Sequence, residues 1–164
     1  MSNDANSFSD AEPRIFQINI SNGGVPKLAV QSAQILEFGV AGDKQSNTVV
    51  HGGPDRAVCL YSLERLIELQ NEGHPVFPGS LGENLTLVGL DWSLVRPGHQ
   101  IWVGEVLLEF TKYTKPCSKL APYLLDSKIE RMAESEYPGW SRLYARVLQP
   151  GVVRVADPVQ LVSG

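Results

Sequence analysis

Ile101-Trp102-Val103-Gly104-Glu105-Val106-Leu107-Leu108-Glu109-Phe110-Thr111 is the stretch that decides the fold class. Two apolar runs flank Gly104-Glu105, a two-residue connection of the kind that joins antiparallel strands. The second run turns Val106, Leu108 and Phe110 toward one face, which is the period of a strand and not of a helix. This predicts a β-hairpin, and the same punctuation recurs on both sides of it. Upstream, residues 14–20 place Ile15, Ile18 and Ile20 among polar neighbours and end at Ser21-Asn22-Gly23-Gly24, a strong turn signal. Residues 25–28 and 32–36 read as short strands before the bend Phe38-Gly39-Val40-Ala41-Gly42-Asp43, and residues 57–61 as an unbroken apolar strand. Downstream, residues 143–148, 152–155 and 159–162 read as three closing strands separated by Gln149-Pro150-Gly151 and Asp157-Pro158.

Helical signals are few. Ser62 stands as N-cap to a helix carrying Leu63, Leu66 and Ile67 on one face and ending at Gly73. Asp91 caps a single turn from Trp92 to Val95, and residues 127–134 read as helical until Tyr137-Pro138-Gly139-Trp140 breaks the pattern. The 15 glycines and 11 prolines are spread through the 164 residues, and 43% apolar content suffices for one core. Many short antiparallel strands around that core predict a mainly β, single-domain, closed or nearly closed β-barrel with a few short helices, because closure removes exposed edges. Residues 1–13, rich in Ser, Asn and Asp, are expected to be a disordered tail, with the domain spanning 14–164.

A net charge of -4 gives no basic footprint for nucleic acid. No apolar run approaches the ~20 residues that cross a bilayer, and residues 1–12 lack the apolar centre of a signal peptide. A soluble, cytoplasmic protein is expected. With two cysteines and no secretion signal, a disulfide framework is not expected, and each cysteine is read by its setting. Cys59, inside Ala57-Val58-Cys59-Leu60-Tyr61, reads as a small buried hydrophobe.

Cys117 reads differently. It follows the hairpin in Lys112-Tyr113-Thr114-Lys115-Pro116-Cys117-Ser118-Lys119-Leu120. Cations beside a thiol favour the thiolate, the form that binds metals and attacks electrophiles. A position after a strand end and before the apolar Leu120, Tyr123 and Leu124 also places the thiol near a helix N-terminus. The plain alternative is a surface loop with an incidental cysteine. Two glycine-rich bends accompany it. His51-Gly52-Gly53-Pro54-Asp55-Arg56 brings backbone N–H groups together between His51 and Arg56, as an anion site requires, or makes a sharp turn facing water. Pro78-Gly79-Ser80-Leu81-Gly82-Glu83-Asn84-Leu85 sets Glu83 and Asn84 on a bend, where they hold a polar ligand or bond their own loop.

Taken in order, Gly42-Asp43, the His51 to Val58 stretch, the Pro78 to Leu85 stretch, Pro116-Cys117-Ser118-Lys119-Leu120, and Arg146-Val147-Leu148 with Gly151 resemble the MOSC domain. That family is named for the C-terminal region of molybdenum cofactor sulfurase, and the chain is most similar to its compact stand-alone bacterial members. The resemblance implies a fold of the pyruvate-kinase-barrel type and a molybdenum-molybdopterin cofactor with Cys117 as metal ligand. It implies that Lys112, Lys115 and Lys119 neutralise the cofactor's phosphate, and that His51, Gly53, Arg56, Glu83 and Asn84 line the rest of the pocket. The implied activity is two-electron reduction of N-hydroxylated bases or related compounds, with electrons from a partner reductase protein. A sulfur carrier or cofactor-transfer module using a Cys117 persulfide is the alternative. A homodimer is compatible with either. Lys115 stands where the family often has arginine, which keeps the charge and gives up bidentate contact. No histidine is placed by the sequence as a base for Cys117, so ligation outranks covalent catalysis.

Overall fold

The computed structural model describes residues 12–21, 23–43 and 53–163. Its strands are β1 (Arg14–Ile20), β2 (Leu28–Val30), β3 (Ser32–Leu36), β4 (Gly39–Val40), β5 (Val58–Ser62), β6 (Leu85–Val88), β7 (Gln100–Val103), β8 (Val106–Tyr113), β9 (Leu143–Gln149), β10 (Gly151–Arg154) and β11 (Val159–Leu161). One α-helix among the described residues, α1 (Leu63–Asn71), lies between β5 and β6. The protein is mainly β, as the hairpin pattern predicts.

The 101–111 hairpin is β7 and β8, paired antiparallel from Val103–Val106 to Gln100–Glu109. Gly104 takes φ 57°, a left-handed first turn position that glycine adopts without a Cβ penalty. From this hairpin an eight-stranded sheet extends in the order β11-β7-β8-β9-β5-β6-β1-β2, and β10-β3-β4 form a separate small sheet. Val106, Leu108 and Phe110 are buried, as their alternation requires. Trp92 joins them, its ring edge-on to Tyr61 and Phe110 with centroids at 5.8 and 6.2 Å, and its Nε1–H donates to the Ser141 carbonyl at 3.0 Å.

Three expectations meet the structure only in part. First, of the closed and nearly closed barrels expected, the closed one is not confirmed, because no sheet closes on itself. β2 occupies the outer edge of β1 at residues 18–20, while the start of β1 meets the segment before β11 through a single bridge, Arg14 to Pro158. Three backbone bonds of 2.9 Å reinforce that seam, from Ile15 N–H to Asp157, Ala156 N–H to Ile15 and Val159 N–H to Pro13. Pro158 has no N–H to extend them, and Ala156 at φ 77° turns the chain away from a ladder. Second, the strands are not all antiparallel: β5 and β6 pair parallel, Leu60 opposite Leu85, with α1 in the crossover between them. Third, residues 127–134 are not one helix. Short 3-10 turns span Leu125–Ser127 and Ile129–Met132, interrupted where Asp126 and Ser127 both take φ 55°.

The caps hold as read. Ser62 Oγ accepts from the Arg65 N–H at 3.2 Å, and Leu63, Leu66 and Leu69 form the buried face of α1. Asp91 accepts from the Ser93 N–H at 3.1 Å at the start of its 3-10 turn.

Candidate functional site

The end of β8 delivers Cys117 to a cavity. Thr114 N–H donates to the Arg142 carbonyl at 3.0 Å, fixing the strand end, and Pro116 then directs the chain outward. Cys117 follows, half-buried, its carbonyl accepting from Leu120 N–H at 3.0 Å as the 3-10 turn Ser118–Tyr123 begins. That turn is six residues long and contains Pro122, so it carries little of the dipole of a full α-helix. The cavity beside the thiol encloses about 80 Å³, within about 610 Å³ of space that includes its open mouth.

Three other segments complete the walls: Gly24, Val25 and Lys27; Leu81, Gly82 and Asn84; and, from the sheet, Cys59, Arg142 and Tyr144. Backbone contacts lock them together. Lys27 N–H donates to the Gly79 carbonyl at 2.8 Å, and Gly79, at φ 90°, packs so close that a Cβ would run into the Lys27 carbonyl. Asn84 spends its amide on the wall itself, with Oδ1 accepting from Cys59 N–H at 3.0 Å and Nδ2 donating to Asp43 Oδ2 at 2.9 Å. Asp43 in turn accepts from Ser21 N–H at 2.8 Å and pairs with Lys27 Nζ at 2.5 Å, a buried ion pair. Arg142 is 7% exposed and donates one Nη to the Leu81 carbonyl at 2.6 Å; its Nε has no partner among the described residues.

Four cations, Lys27, Lys115, Lys119 and Arg142, therefore line one small cavity with a thiol. Two carboxylates stand behind them. Asp43 is spent on Lys27, and Glu83 is wholly buried, its Oε2 accepting from the Thr86 hydroxyl at 3.2 Å and its Oε1 without a partner. Burial pushes the Glu83 carboxyl above its usual range. Burial likewise pushes the Cys59 thiol up to about 11 and the Tyr144 phenol up to about 12, so both stay protonated near neutral pH. Cys59 is thus buried, as its apolar setting predicts, yet it also reaches the cavity wall.

Among the residues singled out by sequence, the structure brings Asn84, Lys115, Cys117 and Lys119 onto the cavity. Glu83 lies behind the wall. Lys112 pairs opposite Tyr144 across the β8–β9 ladder and is not part of the lining. Arg56 stands over the Tyr144 ring, 5.9 Å from its centroid, at the end of the 3-10 turn Pro54–Arg56 that follows Gly53. The Thr111 hydroxyl donates to the Asp55 carbonyl, and Arg146 lies 3.4 Å from the Asp55 carboxylate, so this turn is tied to β8 and β9 beside the cavity. His51 lies outside the described residues. Sequence reasoning missed Lys27, Arg142 and Tyr144. Lys27 follows Gly-Gly-Val-Pro, and Arg142 is a lone charge before the strand Leu143–Gln149; each was a visible oddity without a visible destination.

A family model described as "MOSC domain" matches residues 47–160. The chain belongs to the MOSC domain family. It is 34% identical over 145 residues to protein YiiM of Escherichia coli (strain K12) and 32% identical over 142 residues to the uncharacterized protein YflK of Bacillus subtilis (strain 168). Each match covers 85% of this chain and 63% of the relative, so the chain spans less than two thirds of the length of these curated relatives. The crystal structure of YiiM from Geobacillus stearothermophilus superposes with a TM-score of 0.74 at 28% identity, covering 92% of this chain and 75% of that one. This MOSC domain is YiiM-like, and its family is associated with the molybdenum cofactor. Gly24, Val25 and Lys27 lie before the matched segment, so the connection between β1 and β2 supplies one wall of the cavity.

The donor set can be tested against that cofactor. A pterin-dithiolene molybdenum group carries an anionic phosphate and a soft metal. The cavity presents four cations and one half-buried thiol, and the Asp43 carboxylate is already paired with Lys27. The residues fit the group. No helix among the described residues is long and apolar enough to cross a membrane.

Proposed function

We propose that this MOSC domain holds a molybdenum-molybdopterin cofactor through Cys117 and reduces N-hydroxylated bases or related N-oxygenated compounds, with electrons from a separate reductase protein. The observation that supports it is the convergence of Cys117 with Lys27, Lys115, Lys119 and Arg142 on one cavity, with the Arg142 Nε unpartnered. When bound, the group supplies two-electron chemistry at a metal that accepts a thiolate ligand. The balanced reaction is N–OH plus two electrons and two protons giving N–H and water.

The chain's own residues hold and position. Cys117 supplies the sulfur ligand, and Lys115 and Lys119 line the same cavity as cations for the group's phosphate. Arg142, fixed by its bond to the Leu81 carbonyl, sets a positive charge in the cavity wall that favours an anionic oxygen there. Lys27 is held by Asp43 and so presents a fixed rather than swinging charge. Val25, Leu81 and Leu120 contribute the apolar part of the lining.

Elemental analysis tests this reading. Chain produced with cofactor supply is expected to carry about one molybdenum per polypeptide, and Cys117→Ala is expected to lose at least about tenfold of it, as loss of a metal ligand does. Equal molybdenum in both proteins, or a Cys117 persulfide without molybdenum, overturns it.

A further inference from the structure

We propose that Cys59 and Cys117 form a reversible disulfide across the cavity, so that peroxide withdraws Cys117 from any ligand it serves. The chain has two cysteines, and both line the same cavity of about 80 Å³. They come from unrelated segments, β5 and the turn after β8, so nothing in their sequence spacing announces the pairing.

The two are held differently. Cys59 is fixed: its N–H donates to Asn84 Oδ1 at 3.0 Å and its carbonyl accepts from Asn84 N–H at 2.7 Å. On β5 its neighbours Val58 and Leu60 are wholly buried, and only the residue between them reaches the cavity. Cys117 sits between Pro116 and a short 3-10 turn, with its carbonyl bonded to Leu120 N–H and no capping bond from its side chain to the turn that follows. It is the half-buried partner, open to solutes through the mouth, whereas Cys59 is 6% exposed. A disulfide asks for Cα atoms about 4.4–6.8 Å apart. Adjustment to that spacing falls on residues 115–118, because β5 is braced by β6 and β9 on either side.

The chemistry balances with hydrogen peroxide as the oxidant. The Cys117 thiol takes one oxygen to become sulfenic acid and water leaves. The small thiolate fraction of Cys59 then attacks the Cys117 sulfur, so the step quickens as pH rises; the S–OH bond breaks, the S–S bond forms, and the proton Cys59 released joins the departing hydroxide as water. Two thiols lose two electrons in total, and peroxide gains them. A dithiol reductant reverses the step.

Peroxide treatment of the full chain as purified tests this, followed by denaturation, alkylation with N-ethylmaleimide and peptide mass mapping. The expected product lacks two hydrogens, takes up no maleimide at either cysteine, contains a Cys59–Cys117 cross-linked peptide and regains both thiols with dithiothreitol. Cys59→Ser is expected to stop instead at oxygenated Cys117. Wild-type chain that accumulates sulfinic acid at Cys117 while Cys59 remains fully alkylated overturns the proposal, as does a cross-link between two chains. These readouts need no molybdenum, so they stand or fall apart from the reductase reading.

Discussion

Glu83 is a carboxylic acid that burial takes out of its ordinary behaviour. The Pro78–Leu85 bend buries it completely, gives one carboxylate oxygen the Thr86 hydroxyl and leaves the other without a partner. Arg142 is a nearby cation, but desolvation outweighs it and raises the pKa. The folded state therefore binds a proton that the unfolded chain has released, in the window between the ordinary carboxyl value and the raised one. Stability attributable to this group is present below that ordinary value and is lost as pH rises through the window. Glu83→Gln keeps the shape and removes the titration. Urea denaturation across pH 4 to 8 is expected to show the variant gaining on wild type as pH rises and Glu83 must ionise. A constant difference across that range would mean that Glu83 titrates normally in the fold. The same burial explains why the Glu83 carboxylate serves the wall and not the cavity, whose lining includes Arg142 instead.

The 78–84 bend is the element on which the cavity depends, because it carries Gly79 against the Lys27 carbonyl and Asn84 against Cys59 and Asp43. Gly79 and Gly98 take nearly the same backbone angle, φ 90° and 95°, but a Cβ at Gly98 would meet nothing within 4 Å. Comparing alanine at the two positions separates backbone strain from steric collision. Gly98→Ala is expected to cost about 1–3 kcal/mol through φ alone. Gly79→Ala is expected to cost more, to displace Lys27 and to lower cofactor retention, all measured by denaturation and molybdenum content. Equal costs would show that Lys27 is not held by this contact. The bend itself was legible in Pro78-Gly79 and Gly82, and so were the Gly104 hairpin and the Ser62 cap, because each is dictated by residues within a few positions. Lys27 and Arg142 were not legible as site residues. Their place depends on Lys27 docking on Gly79 and on Arg142 reaching Leu81, contacts between segments far apart in the chain. The parallel pairing of β5 with β6 escaped for a related reason: an apolar run such as Val58-Cys59-Leu60-Tyr61 is buried on both faces and carries no mark of its neighbour's direction. The 127–134 segment misled because its helical residue pattern is interrupted by left-handed backbone at Asp126 and Ser127.

At the scale of the whole molecule, the order of the large sheet sets where it opens. β9 and β5 lie at its centre, flanked by β8 and β6, and the cavity residues Cys59, Arg142 and Tyr144 belong to or adjoin those central strands. A closed barrel would protect every strand on two sides. Here the ends are β11 and β2, and the seam between β1 and the 156–159 segment rests on one bridge and three backbone bonds. Amides open in proportion to how little structure must break to free them. Hydrogen exchange under native conditions is therefore expected to rank Cys59, Ala145 and Phe110 slowest, the seam amides of Ile15, Ala156 and Val159 faster by about one to two orders of magnitude, and β2 faster still. Seam amides as slow as Ala145 would mean that the sheet closes in solution after all. Of the cavity residues, Cys59 and Tyr144 lie on the central strands β5 and β9 and Arg142 directly precedes β9, so this wall is expected to hold while the seam opens.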